Sequence, residues 1–276
     1  MRTNNAFYHL IIYSILIRSL FFDIDGTLVS FRTHRIPQAT VDALTEAKGR
    51  GVKIFISTGR PIQFINNLSQ IEHLIDGYIT TNGAYCFVGQ DTVCCHTIDP
   101  AEVQTILQAC DRFDRAAVVV GRKTIAVYNR QPIVDKSFGE GLGLTDIDFD
   151  ELSNVLRQDI LQVTPFITDD EEAQLMPLIP HCVGGRWTKE FVDITQEAAD
   201  KGKGLVAMAA HEHLGIDETI AFGDGGNDIP IIRQAGIGVA MGNATDNVKA
   251  VADYITTAVD DEGVKNALIH FGVIKG

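Results

Sequence analysis

Residues 19–28 read SLFFDIDGTL. Ser19–Phe22 is a short apolar run of the kind that forms a strand buried on both faces. Asp23 and Asp25 follow two positions apart, so at a strand end their side chains point the same way. Gly26 then lets the chain turn sharply. A pair of acids placed like this can divide two tasks, one attacking or binding a metal and the other handling a proton.

The same unit, an apolar strand followed by polar residues, recurs on either side of this segment. Toward the C-terminus a helix is predicted over Pro37–Lys48, a strand over Val52–Ser57, a helix from Pro61 to Leu68 and a strand over Tyr78–Thr80. The last part of the chain alternates again: helix Gly202–His213, strand Thr219–Phe222, helix Asp228–Ala235, strand Ile237–Ala240, helix Thr245–Ala252, strand Tyr254–Thr256 and helix Gly263–Phe271. Such alternation with continuous apolar strands predicts an α/β fold with a doubly wound, parallel, Rossmann-like sheet.

The middle has a different grammar. Ala84–Val88 and Thr92–Ile98 flank Gly89-Gln90-Asp91 as in a hairpin, and Asp99-Pro100-Ala101-Glu102 reads as a capping box opening a helix. Ala116–Val120 and Thr124–Tyr128 surround Gly121 as a second hairpin-like pair. The expected organisation is a discontinuous core, residues 17–83 and 192–276, interrupted by an α+β cap over 84–191. Residues 1–16 form an N-terminal extension. Its apolar run from Ala6 to Phe22 is broken by His9 and Arg18, lacks a small-x-small cleavage site and is short for a membrane span.

In an open parallel sheet, ligands bind beyond the carboxyl ends of the strands. Thr58 and Gly59 follow the second predicted strand, where a hydroxyl and free N–H groups at a helix start would form an anion site. Asn82 lies in the polar turn after the third. Asp200-Lys201-Gly202-Lys203-Gly204 puts cations at a helix start, against the helix dipole, so an anionic ligand explains them better than stability does. Phe222-Gly223-Asp224-Gly225-Gly226-Asn227-Asp228 places two acids and an amide among three glycines, poor for packing and good for a metal. Asp224 and Asp228 with Asp23 and Asp25 make a hard oxygen site suited to Mg²⁺ beside a phosphate.

Composition sets the bounds. The 276 residues carry 23 Lys+Arg against 36 Asp+Glu, a net charge of −13, with 45% hydrophobic and 21% charged residues. That is globular composition, and the charge argues against nucleic acid or an anionic membrane as partner. No feature fixes an oligomeric state. The five cysteines (Cys86, Cys94, Cys95, Cys110, Cys182) show no Cys-x-x-Cys pair and read as reduced thiols in a cytoplasmic protein. Gly139-Glu140-Gly141-Leu142-Gly143 lacks the strand–helix context of a dinucleotide fingerprint and reads as a cap loop. His211 and His213 are expected to be solvated, Asp169–Glu172 to cap a helix, and Trp187 and Arg186 to be a packed ring beside a surface cation.

Together and in this order, the segments around Asp23, Thr58, Lys201 and Asp224 resemble the haloacid dehalogenase-like (HAD) phosphohydrolases, in their Cof-type, subfamily IIB branch. The resemblance spans Ser19–Ala84 and Phe191–Val264, including the tail Ala235–Ala244 and Asp261–Val264, whereas the cap matches by position and size. It implies that Asp23 is the nucleophile and forms an aspartyl-phosphate. Asp25 would protonate the leaving oxygen and then activate water. Mg²⁺ would be held by Asp23, the backbone carbonyl of Asp25 and Asp224, with Asp228 as an outer or alternate ligand. Thr58 and Lys201 (favoured over Lys203) would bind the phosphoryl oxygens, with Asn227 orienting them. The implied activity is phosphatase action on small phosphorylated metabolites such as sugar phosphates or phosphorylated cofactors. A phosphotransferase or phosphomutase using the same intermediate, and a low-turnover binding regulator, are the alternatives.

Overall fold

The computed structural model describes residues 16–141, 147–186 and 188–276. The extension, apart from Leu16, the end of the 139–143 stretch and Trp187 therefore lie outside the described residues. The strands are β1 (Ser19–Phe22), β2 (Lys53–Ser57), β3 (Gly77–Thr80), β4 (Tyr85–Val88), β5 (Asp91–Cys95), β6 (Ala117–Gly121), β7 (Ile125–Tyr128), β8 (Ile160–Pro165), β9 (Cys182–Gly185), β10 (Asp193–Gln196), β11 (Thr219–Gly223), β12 (Ile237–Ala240) and β13 (Tyr254–Ile255).

Eight strands form one sheet in the order β13-β12-β11-β1-β2-β3-β4-β5. From β13 to β3 every pairing is parallel, as the alternating pattern predicts. Adjacent residues of β1 face opposite sides. Phe22 stacks on Phe222 at 4.6 Å and Phe21 on Phe55 at 4.8 Å. On the Phe22 face pack helices Gln38–Gly49 and Gly263–His270, through Leu44, Ala47, Val264 and Leu268. On the Phe21 face pack helices Lys201–His211 and Ile229–Gln234, through Leu205, Met208, Ile231 and Ile232. Each helix closes an apolar stripe over one face, so the sheet is buried on both sides.

The hairpin expected in the insert belongs to this large sheet instead. β4 and β5 continue it antiparallel from β3. A five-stranded antiparallel sheet, β7-β6-β8-β10-β9, holds the rest of the middle and also takes in β10. Helices Pro100–Phe113 and Asp169–Leu175 cover one of its faces through Ile106, Cys110 and Leu175. The other face carries Val118, Val120, Phe138 and Phe191.

Two local expectations need correction. Asp99 accepts from the Ala101 N–H at 2.7 Å, but Glu102 does not complete a capping box. Its buried carboxyl accepts from the His181 N–H at 3.0 Å and the Cys182 thiol at 3.4 Å, so a tertiary demand takes it from the helix end. A capping box does form between Thr168 and Glu171, at the acidic helix start anticipated over 169–172. The helix expected over 61–68 is a single 3-10 turn, Ile62–Phe64. Ile65 is already extended (φ −90°, ψ 98°), and Asn66-Asn67 favour turn geometry over helix. The stretch expected as a loop at 139–143 is helical through Gly141, and His211 and His213 are exposed as anticipated.

Candidate active site

Register brings the site together. Phe22 lies beside Phe222 on one side and Ile56 on the other, and Ser57 lies beside Ile79. The residues that follow these strands, Asp23, Asp224, Thr58 and Asn82, therefore emerge along one edge of the sheet. The Asp23 N–H donates to the Phe222 carbonyl at 3.1 Å, which carries β1 pairing one residue beyond the strand.

The buried Lys201 Nζ donates to Asp23 Oδ1 at 2.9 Å and to Asp228 Oδ1 at 2.6 Å. Asp228 Oδ2 accepts from the N–H groups of Asp224 and Gly225, both at 3.0 Å, so both of its oxygens are engaged. Asp224 Oδ1 accepts from the Thr27 hydroxyl at 3.0 Å. One carboxylate oxygen from each of Asp23, Asp224 and Asp228 lies within 4.8 Å of the others.

Three carboxylates thus crowd about one ammonium, which bonds two of them. Burial pushes the Asp23 carboxyl well above the usual range, Asp228 adds to this, Lys201 partly offsets it, and Asp224 and Asp25 add further. Burial and then Asp228 push the Asp224 carboxyl up to about 7, against the pull of the Thr27 hydroxyl and Lys201. Burial works against the Lys201 cation, but Asp228 and Asp23 outweigh it and hold it more firmly protonated than an ordinary lysine.

This donor set fits a hard divalent cation. The oxygens are all carboxylate, negative charge is in excess, and Asp228 is spoken for, which leaves Asp23 and Asp224 as the direct candidates. Gly26, at φ +85°, keeps the approach open, since a Cβ there would collide with Asp224 Oδ2. Cys94, Cys95 and His96 join no such group among the described residues.

Asp25 stands apart from the trio and is forked by Arg60, with Nε to Oδ2 at 2.7 Å and Nη2 to Oδ1 at 2.8 Å. The Thr58 hydroxyl accepts from the Arg60 N–H at 3.0 Å, leaving its own O–H able to donate. Only the 3-10 turn Ile62–Phe64 follows, so the helix start anticipated after Thr58 and Gly59 is absent. Asn227 Nδ2 donates to Asn82 Oδ1 at 3.1 Å, and Gly59 lies close to both amides. A cavity of about 250 Å³ is lined by Asp23, Asp25, Thr58, Gly59, Asp224, Asn227 and Asp228. Lys201 and Asn82 stand behind that lining, Lys201 behind two carboxylates and Asn82 behind Asn227.

Several residues at the site had no role in the sequence reading. Arg60 and Thr27 were visible only as neighbours of motif residues. Asn243 ties the tail to the first loop, its Nδ2 donating to the Gly26 carbonyl at 2.8 Å and its Oδ1 accepting from the Val259 N–H at 2.9 Å. Gln162, Thr164 and Asp193 line the cavity from the second sheet. Their signal was legible, since each is a polar residue inside an otherwise apolar strand-like run.

Residues 20–268 match the family of haloacid dehalogenase-like hydrolases. The chain belongs to that family. The HAD subclass IIB sugar phosphatase BT4131 is similar over 93% of this chain and 100% of its own, with a TM-score of 0.86 and 45% identity. The phosphatase BT1666 from Bacteroides thetaiotaomicron covers 95% of this chain and 97% of its own, with a TM-score of 0.84 and 34% identity. The putative phosphatase YkrA of Bacillus subtilis is 28% identical over 93% of this chain and 98% of its own length. The chain is a phosphoric monoester hydrolase of the haloacid dehalogenase-like class. No helix among the described residues is long and apolar enough to cross a membrane.

Proposed function

We propose that this protein is a Mg²⁺-dependent phosphatase that hydrolyses small phosphorylated metabolites, sugar phosphates or phosphorylated cofactors, through an aspartyl-phosphate on Asp23. The observation that carries the reading is the cluster of Asp23, Asp224 and Asp228 about the buried Lys201, opening onto a cavity beside Asp25. Mg²⁺, held by Asp23, Asp224 and the Asp25 carbonyl, would supply the positive charge that lets a carboxylate approach a phosphate.

An Asp23 oxygen attacks phosphorus as the bond to the leaving oxygen breaks, and Asp25 gives that oxygen its proton. Asp25 then takes a proton from water, whose oxygen displaces Asp23 and releases inorganic phosphate. Thr58 donates its O–H to a phosphoryl oxygen, with Asn227, braced by Asn82, and the backbone at Gly59 on the neighbouring side. Lys201 keeps Asp23 ionised and oriented, and Asp228 holds Lys201.

We read the five-stranded sheet as a cap that excludes water from this chemistry. Its sheet membership favours a division after β5 and after β10, in place of one at residues 84 and 191. The five free thiols and the charge of −13 support a cytoplasmic enzyme of small molecules, with no nucleic acid as partner.

The test is phosphate release from a panel of sugar phosphates, nucleotides and phosphorylated vitamins, with and without Mg²⁺, by wild type and Asp23→Asn. Release that needs Mg²⁺ and vanishes in the variant is expected. No release from any compound, with binding retained, would overturn the reading in favour of a binding regulator.

A further inference from the structure

The second sheet turns three polar side chains toward the cavity. Gln162 and Thr164 alternate on β8, Asp193 opens the neighbouring β10, and their exposures are 3%, 2% and 7%. The partners of Gln162 and Thr164 on β6 are Val120 and Val118, so this face is apolar on the β6 side, while on β10 the buried Thr195 lies beside Gln162. Gln162 Nε2 donates to Thr164 Oγ1 and to Asp193 Oδ1, both at 2.9 Å, and Thr164 Oγ1 donates to Asp193 Oδ1 at 2.7 Å.

A carboxylate accepts and does not donate, so these bonds fix which end of the Gln162 amide faces Asp193. Its Oε1 is then a buried acceptor with no hydrogen-bond partner. Leaving a buried acceptor unpaired is costly, and an apolar residue would pack this face without that cost. The arrangement makes sense if a ligand hydroxyl completes it.

The same cavity is lined by Phe64, Phe138 and Phe191, with Phe138 5.1 Å from Phe64 and 5.9 Å from Phe191 between ring centres. Among the described lining residues the one Lys or Arg is Arg60, which is engaged by Asp25. A leaving group that fills the cavity thus meets aromatic faces and hydroxyl-binding groups, with no available cation among the described residues.

We propose that Gln162, Thr164 and Asp193 form a specificity subsite that reads hydroxyl groups of the leaving group. It selects polyhydroxylated monophosphates over esters carrying a second anionic group. The C–H face of a sugar or polyol would lie on the phenyl rings while its hydroxyls meet Gln162 Oε1, Thr164 and Asp193. A second phosphate or a carboxylate would meet acceptors and lose its hydration with nothing in return. This inference rests on the phosphatase reading above.

The experiment uses the full chain with Mg²⁺ and four esters: a hexose 6-phosphate, a hexose 1,6-bisphosphate, phosphoglycolate and p-nitrophenyl phosphate. For wild type, kcat/KM for the hexose monophosphate should exceed that for the bisphosphate and for phosphoglycolate by about tenfold or more. Asp193→Asn and Thr164→Val should each lower the ratio of kcat/KM for hexose monophosphate over p-nitrophenyl phosphate by about tenfold, mainly through KM. Thr164→Val is nearly isosteric and carries the measurement if Asp193→Asn does not fold. A wild-type preference for the doubly anionic esters, or ratios unmoved in the variants, would overturn the subsite while leaving the phosphatase intact. Failure of wild type to hydrolyse any of the four would remove the phosphatase reading, and the subsite with it.

Discussion

The Arg60 guanidinium grips both oxygens of Asp25, at 2.7 and 2.8 Å, while its third nitrogen donates to the Phe64 carbonyl at 3.0 Å. One buried side chain thus ties the loop after β1 to the turn after β2 and fixes the carboxyl proposed as acid and base. Forked, charge-assisted pairs of this kind set direction as well as distance. Asp25 must release at least one of these bonds to serve a leaving oxygen, so Arg60 positions it without immobilising the chemistry.

Lysine in place of Arg60 keeps the charge but loses the fork. Arg60→Lys is expected to lower kcat/KM by about 10- to 100-fold, the range for one or two charged hydrogen bonds. If Arg60 acts through Asp25, adding Arg60→Lys to Asp25→Ala should cost little more than Asp25→Ala alone. Steady-state kinetics on the three variants decide this, and additive losses would separate Arg60 from Asp25.

Lys201 has no exposed side-chain surface and answers two buried carboxylates. Lys201→Met would leave Asp23 and Asp228 facing each other without a counter-charge. Breaking a buried ion pair from one side costs about 3–5 kcal/mol, so a large loss of stability in urea is expected along with loss of activity. The double variant Lys201→Met with Asp228→Asn should recover part of the stability and none of the activity. No recovery would show that the lysine stem, by packing, matters more than its charge.

The doubly wound core was legible because parallel strands buried on both faces leave continuous apolar runs, as at Ser19–Phe22, with polar residues where each run stops. Asp23, Asp224 and Asp228 were legible for the same reason: acids and glycines at strand ends do little for packing. Arg60 was hidden in a motif, because its value lies in reaching across to Asp25 and spacing does not encode that reach. The middle of the chain resisted more. The β4–β5 hairpin looks the same in sequence whether it edges the core sheet or opens an insert, and only its pairing with β3 decides. Glu102 misled for a similar reason, since a distant backbone N–H at His181 outcompeted the local one.

Asp23→Asn removes the proposed nucleophile while keeping its shape. Activity should fall by about a thousandfold or more, in the range seen when a covalent nucleophile is lost. Stability should move the other way. Asp23 is held above its ordinary range by burial and by Asp228, so replacing it with a neutral amide relieves a cost the fold now bears. The metal-free Asp23→Asn variant at neutral pH is expected to melt higher than wild type, as read by calorimetry. A lower melting point would mean that the bond from Lys201 to Asp23 stabilises more than crowding of the carboxylates costs.

Metal and protons should compete for this cluster with a definite sign. The Asp224 carboxyl is pushed up to about 7 in the fold, against a usual 3.8, and Asp23 is raised as well. The folded protein therefore holds protons that the unfolded chain has lost between about pH 4 and 7. That contribution to stability is complete below the unfolded pKa and disappears as pH rises through about 7. Metal-free protein should lose melting temperature between about pH 4 and 7 on this account. Mg²⁺ bound at this cluster would displace the same protons, so the stabilisation it confers should grow over the same range. Asp224→Asn should flatten both trends. Melting curves at several pH values, with EDTA and with Mg²⁺, measure all three, and an equal Mg²⁺ effect at both ends of the range would show that the ion binds elsewhere than at Asp23 and Asp224.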